Sequence, residues 1–188
     1  MVLKIVRYPE PVLRAKCRAI TDVTPAIRQL SEDMLETMRA ANGVGLAAPQ
    51  VAQDVQLAVI DVSHNPQCIS YLRINGQPVD MVPQMPVVFL NPQIELGKEK
   101  EIDEEGCLSF PRLRGDIRRS LDVKVTFQTL DGETQTWETD GLLARAFQHE
   151  IDHLNGVLFI DRMSATAKVT LKRKLSRLME EWTEDDEA

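Results

Sequence analysis

Histidine and cysteine are both scarce in this chain, at three each among 188 residues. The cysteines, Cys17, Cys68 and Cys107, are odd in number and show no C-x-x-C spacing, which argues against a disulfide framework. No apolar run is long enough to span a bilayer. The first residues, Met1-Val2-Leu3-Lys4-Ile5-Val6, read directly into folded structure rather than as a signal or transit peptide. A reducing, cytoplasmic location is therefore expected. Cationic surplus is missing as well: 22 Lys and Arg stand against 29 Asp and Glu, a net charge of −7. That argues against non-specific nucleic-acid binding through bulk charge. Apolar content of 43% and charged content of 27% are ordinary for a globular chain, and a single domain over residues 1–188 is expected.

What is present is concentrated. Two of the three histidines fall in one hexapeptide, Gln148-His149-Glu150-Ile151-Asp152-His153. Read as helix, His149 and His153 stand at i and i+4 on one face, where two imidazoles can hold one metal ion with Glu150 beside them. Leu142, Leu143 and Ala146 continue the helical spacing, Asp140-Gly141 marks the entry and Asn155-Gly156 the stop. Two core histidines beside a solvated Glu would be the bland alternative. The third histidine, His64, reads as a solvated loop residue. Two imidazoles leave a metal under-coordinated. Downstream, Asp161, Glu180 and Glu181 have no distinctive setting. Upstream, Glu105-Gly106-Cys107-Leu108-Ser109 offers Cys107, whose thiolate binds zinc or iron tightly.

Along the rest of the chain, residues 1–20 read as extended, with Pro9 and Pro11 breaking any helix. Thr24-Pro25 starts a helix whose stripe of Ile27, Leu30, Met34, Leu35 and Met38 ends at Asn42-Gly43. Gly43-Val44-Gly45 follows, two glycines that let a ligand approach the backbone. Strands are expected at 57–62 and at 87–90, the second stopping at Asn91-Pro92, with a strand pair around Gly97 within 94–102. The long polar segment 63–86 holds an Asn75-Gly76 turn and thus a short hairpin. Val123, Val125 and Phe127 alternate, Asp131-Gly132 turns, and 134–137 returns. Residues 164–188 read as a C-terminal helix and acidic tail, with Leu171, Leu175, Leu178 and Trp182 on one stripe and Lys168, Lys172, Arg173, Lys174 and Arg177 in its first part. The expected architecture is α+β: antiparallel strands packed around a central metal-binding helix, with an N-terminal and a C-terminal helix.

Three segments in register, Gly43-Val44-Gly45-Leu46-Ala47-Ala48-Pro49-Gln50, Glu105 to Ser109 and Gln148 to His153, resemble the signature motifs of peptide deformylases. The resemblance runs from about Ile5 to Met163. It implies a metal-dependent hydrolase that removes the N-formyl group from formyl-methionine of newly synthesised proteins and releases formate. Cys107, His149 and His153 would bind the metal, most often Fe²⁺, with Zn²⁺, Ni²⁺ or Co²⁺ able to substitute. Metal-bound hydroxide would attack the formyl carbon, with Glu150 as general base and then acid. The Gln50 amide and the Leu108 backbone N–H would hold the oxyanion. Gly45 would present its backbone to an extended substrate, and Val44, Leu142 and Ala146 are candidates for the methionine pocket. Arg145 is expected in an ion pair, and Asp152 with Arg119 or Arg114 is expected to support the motif. The resemblance also implies a transient ribosome contact through the C-terminal helix. Segment 63–86 is longer than in many deformylases, the place where this sequence departs most from the pattern and where the entrance could be reshaped.

Three rivals remain open on the residues. A zinc peptidase with H-E-x-x-H and a downstream acidic ligand would make Cys107 dispensable. A structural site would need a fourth protein ligand and would leave Glu150 and Gln50 idle. A relative with a different formylated substrate would keep the whole set.

Overall fold

The computed structural model describes residues 1–65, 68 and 70–187. Pro66, Gln67, Ile69 and Ala188 lie outside the described residues, as do the side chains of Lys172, Arg173 and residues 183–187.

The chain begins extended and makes a short 3-10 turn at Pro11–Arg14. Pro11 starts that turn instead of preventing it, because the first turn of a helix does not use the missing N–H. Helix α1 (Pro25–Ala40) is capped as expected: the Thr24 hydroxyl accepts from the Ile27 backbone N–H. It stops where Asn42 turns left-handed, at φ 53°. Strand β1 (Gly45–Ala47) and a 3-10 turn at Ala48–Val51 follow, then β2 (Leu57–Ile60). Segment 63–86 yields β3 (Leu72–Ile74) and β4 (Gln77–Pro78), a hairpin turned by Asn75 and Gly76 with φ of 51° and 79°. The remaining strands are β5 (Val87–Leu96), β6 (Lys100–Cys107), β7 (Phe110–Ser120), β8 (Asp122–Gln128) and β9 (Thr134–Asp140). Helix α2 (Gly141–Leu154) comes next, then a 3-10 turn at Phe159–Arg162 and helix α3 (Ala165–Glu187).

Seven strands form one sheet in the order β1-β2-β5-β8-β9-β3-β4, every neighbouring pair antiparallel. β6 and β7 form a separate two-stranded ribbon. Sequence expectation and structure part in two places. β5 does not stop at Asn91-Pro92 but crosses them through a bulge between Leu90 and Gln93, where a proline without an N–H is tolerated. Asn91 secures the bulge by bonding both the N–H and the carbonyl of Ile20. Residues 94–102 do not pair with each other across Gly97, since Ile94 pairs with Val125 in the large sheet and Ile102 with Arg118 in the ribbon. The hairpin of segment 63–86 adds to the sheet edge opposite β1, and among its described residues Asn65 lines the cleft.

Three apolar clusters fill the interior. α2 packs on the sheet through Leu143, Ala144, Phe147 and Ile151, with Phe147 in ring contact with Phe89, Phe127 and Trp137. Met34 and Met38 of α1 join Leu46, Leu57 and Val59 in a second cluster. The ribbon packs on α3 and the N-terminal segment through Phe110, Ile117, Phe159, Leu178 and Trp182. Phe147 is fully buried one turn from the motif helix's polar face, so its loss leaves a cavity under the site. Phe147→Ala is expected to lower stability by about 3–5 kcal/mol, read from the urea midpoint at unchanged m-value.

Candidate metal centre

Helix α2 carries two side chains whose role is to hold the helix itself. Gln148 accepts from the Ser120 N–H (3.0 Å) and donates to the Ser120 carbonyl (2.9 Å), closing a two-bond clamp on the end of β7. Asp152, on the next turn, takes Arg119 at 2.5 Å and Arg162 at 2.6 Å. Arg119 is thus the partner of Asp152, while Arg114 pairs with Glu104 instead. With the helix fixed this way, His149 and His153 face the ribbon, their ring centroids 5.0 Å apart.

The ribbon delivers the third donor. Its register shifts between Gly106 and Cys107, and the chain turns through Leu108 and Ser109, so Cys107 leaves the strand toward α2. Cys107 Sγ lies 3.3 Å from His153 Nε2, and one donor atom each from Cys107, His149 and His153 fall within 4.8 Å of one another. His149 Nδ1 is occupied by Glu105 Oε2 at 3.0 Å, which leaves Nε2 for the centre. Burial alone would lower His149, but its hydrogen bonds to Cys107 and Glu105 hold it well above the usual imidazole range. Burial and the neighbouring His149 push His153 well below that range. One sulfur and two imidazoles form a soft, mixed donor set that suits a divalent ion. The residues fit a metal ion with an open fourth position.

Glu105 is nearly fully buried, at 6% exposure, yet carries four hydrogen bonds. Arg119 donates Nε to Oε1 (2.8 Å) and Nη2 to Oε2 (3.0 Å), Arg145 donates Nη1 to Oε1 (2.8 Å), and His149 takes the remaining position. Burial would raise this carboxyl, but His149 and Arg119 outweigh it and hold it far below the carboxylate range. Arg145 also reaches the Ile117 carbonyl and Glu101, which makes it an ion-pair residue on the far side of the helix face. The sequence reading gave Arg119 a place beside Asp152 but did not foresee its pairing with Glu105, nor any role for Glu105 itself. Glu105 stands at the head of its segment, but nothing local marks it as the partner of a histidine 44 residues on. Arg119 sits on β7, a strand whose alternation of Leu113 and Ile117 with charged residues was the available signal.

The first motif closes the site from the other side. An ideal Cβ on Gly45 would stand 2.2 Å from Glu150 Oε1, so this glycine makes room for the Glu150 carboxylate. A Cβ on Gly43 would stand 2.8 Å from the Leu108 side chain. Gln50 accepts from the Ala47 N–H and points its Nε2 at Cys107 Sγ (3.5 Å) and Ser109 Oγ (3.3 Å). Glu150 is buried, its Oε2 has no hydrogen-bond partner among the described residues, and burial pushes its carboxyl up to about 7 against the pull of His149. All of this opens on a cleft of about 830 Å³, lined among others by Val44, Gly45, Leu108, Leu142 and Ala146. The sequence-predicted residues therefore gather in one place. His64 stays apart, exposed beside Asp61.

The sequence profile of the polypeptide deformylase family matches residues 2–169. The chain belongs to that family. A peptide deformylase of Methylacidiphilum infernorum is 46% identical over 178 residues, covering 95% of this chain and 93% of that one. A crystal structure of peptide deformylase from Acinetobacter baumannii with Met-Ala-Ser bound superimposes with a TM-score of 0.75 at 35% identity, covering 87% and 99% of the two chains. The enzyme from Synechococcus elongatus in complex with actinonin gives 0.75 at 36%, covering 89% and 82%. The α+β architecture is that of these deformylases, and the family is metal-dependent.

Two substitutions test the geometry. Gly45→Ala should displace the Glu150 carboxylate and lower kcat by about a hundredfold, while metal content measured by elemental analysis stays at the wild-type level. Glu105→Gln removes the negative charge and one of the two acceptor oxygens that hold His149, Arg119 and Arg145. It should weaken metal affinity by roughly 10–100-fold in a competition titration against a chelating dye.

Proposed function

We propose that residues 1–188 act as one catalytic unit that removes the formyl group from the N-formyl-methionine of nascent peptides in the cytoplasm, releasing formate. The observation that supports this most is the meeting of Cys107, His149 and His153 with Glu150 and Gln50 at one end of a peptide-sized cleft. No helix among the described residues is long and apolar enough to cross a membrane.

In this reading Cys107 Sγ and the Nε2 atoms of His149 and His153 hold the ion, Fe²⁺ by preference, with Zn²⁺, Ni²⁺ or Co²⁺ as substitutes. When bound, the ion supplies Lewis acidity and brings the pKa of water at the site toward neutrality. The chain's own groups do the rest. Glu150 takes the proton of the attacking water at a carboxylate oxygen and returns it to the leaving amine. Its burial beside Gly45 leaves the carboxylate poised to exchange protons near neutral pH. Gln50 Nε2 and the Leu108 backbone N–H donate to the oxyanion of the tetrahedral intermediate. The Gln50 donor is held in place beforehand by the Ala47 N–H on its own Oε1. Val44, Leu142 and Ala146 take the methionine side chain. β1 is an edge strand, so Gly45 can receive the substrate backbone as an added strand. The proposal includes a transient ribosome contact through the basic first part of α3. The apolar stripe of that helix, Leu171, Leu178 and Trp182, is already spent on the body of the protein.

Two of the downstream acids that a zinc peptidase could use are engaged elsewhere: Asp161 pairs with Arg14, and Glu181 with Arg112 and Arg177. Protein prepared anaerobically with Fe²⁺ should release formate from an N-formyl-methionyl peptide and leave its N-acetyl counterpart intact. Cys107→Ala and Glu150→Ala should each lower the rate by at least about a hundredfold. Cleavage of internal amides that survives Cys107→Ala would overturn the reading.

A further inference from the structure

The two groups assigned to the oxyanion must be held before the substrate arrives, and they come from different parts of the chain. Gln50 sits in the 3-10 turn Ala48–Val51, and Leu108 in the turn between β6 and β7. The last bond of a glutamine side chain turns over a broad range, so a single tether leaves its amide plane free to swing. The Ala47 N–H on Gln50 Oε1 (2.9 Å) is one tether, and it fixes which end of the amide carries the hydrogens.

Ser109 supplies the second. Its Oγ accepts from Gln50 Nε2 at 3.3 Å, while Cys107 Sγ, 3.5 Å from the same nitrogen, takes the other hydrogen. Ser109 is fully buried, and its hydroxyl has no other hydrogen-bond partner among the described residues. A buried hydroxyl costs free energy unless it is bonded, and the Gln50 amide is the partner it has. The backbones of both residues are tied to one stretch of chain. Val6 N–H donates to the Gln50 carbonyl (2.9 Å) and Tyr8 N–H to the Ser109 carbonyl (3.0 Å). The Tyr8 ring stacks on Phe110, with centroids 5.1 Å apart. With the backbones fixed in this way, the angle of the Gln50 amide is the variable left for Ser109 to set.

We propose that Ser109 is a positioning residue of the reaction, its hydroxyl setting the plane of the Gln50 amide and the spacing of that amide from the Leu108 N–H. The proposal rests on the deformylase reading. With Oε1 on Ala47 and one Nε2 hydrogen on Ser109, the remaining hydrogen is confined to the side of Cys107 Sγ. A donor confined there needs only a small turn to meet an oxyanion formed beside the thiolate. Ser109 does not line the cleft, so it acts through Gln50 alone.

The test is a double-substitution cycle on metal-loaded protein with an N-formyl-Met-Ala peptide. Ser109→Ala should lower kcat about tenfold and leave KM within about twofold of wild type, because the oxyanion forms only after binding. Gln50→Ala should lower kcat by about a hundredfold, and adding Ser109→Ala to it should cost nothing further. With Co²⁺ in the site, Ser109→Ala should shift the thiolate-to-metal charge-transfer band, and that shift should vanish in the Gln50→Ala background. Losses that multiply, or a band shift that persists without Gln50, would mean that Ser109 acts on the Cys107 turn directly and would overturn the proposal. If Ser109→Ala fails to take up metal, the Zn²⁺-loaded wild type decides by NMR. The order parameter of its Gln50 side-chain amide should stay above about 0.6, and a lower value overturns the tether. Absence of formate release by the wild type would count against the deformylase reading instead, while the Co²⁺ band and the amide order parameter still judge the tether.

Discussion

The buried carboxylate of Glu105 is the constraint on which the site depends. It comes from the ribbon, receives Arg119 from the neighbouring strand and Arg145 from α2, and spends its remaining acceptor on His149. Two guanidinium groups and two carboxylates, Glu105 and Asp152, balance one another in a region almost closed to water. Such a cluster contributes little net stability compared with an apolar core, and removing one member costs several kcal/mol because the others are left buried and unpaired. What it secures is geometry. A histidine whose Nδ1 is held by a fixed acceptor has one tautomer and one orientation, and its Nε2 is directed toward Cys107 and His153.

The same logic explains why three short segments far apart in sequence act as one object. Gly43 leaves space for Leu108, Gly45 for Glu150, and Gln50 reaches Cys107 and Ser109. Each contact joins two of the three segments, so a change in one is felt in another. The glycines of the first segment, read from the sequence as openings for a ligand, are first of all openings for the protein's own side chains.

Much of the site was legible because its residues are rare. With three histidines and three cysteines in the chain, an i, i+4 histidine pair and one cysteine in a short Gly-containing segment stand out, and the helix bearing the pair declares itself through Leu142, Leu143 and Ala146. The Asn75-Gly76 and Asp131-Gly132 turns were legible for a different reason, since positive φ restricts the residue choice. The failures have one cause, long-range pairing. Nothing local tells Ile94 that it pairs with Val125 while Ile102 pairs with Arg118, or that Asn91 will be held by Ile20 so that β5 survives its proline. β7 received no assignment from the sequence, because charged residues interrupt its Leu113 and Ile117 and only the buried ion cluster gives Arg119 a reason to face inward.

The three donors do not rest on a single core. His149 and His153 ride on a helix packed against the large sheet, whereas Cys107 packs with the ribbon and α3, and the adjacent Leu108 with the cluster around α1. An ion bound between them is a rivet through two separately packed clusters. Occupancy and tertiary cohesion then become a single linked equilibrium: each increment of ion affinity is also an increment of resistance to the ribbon peeling from the helix.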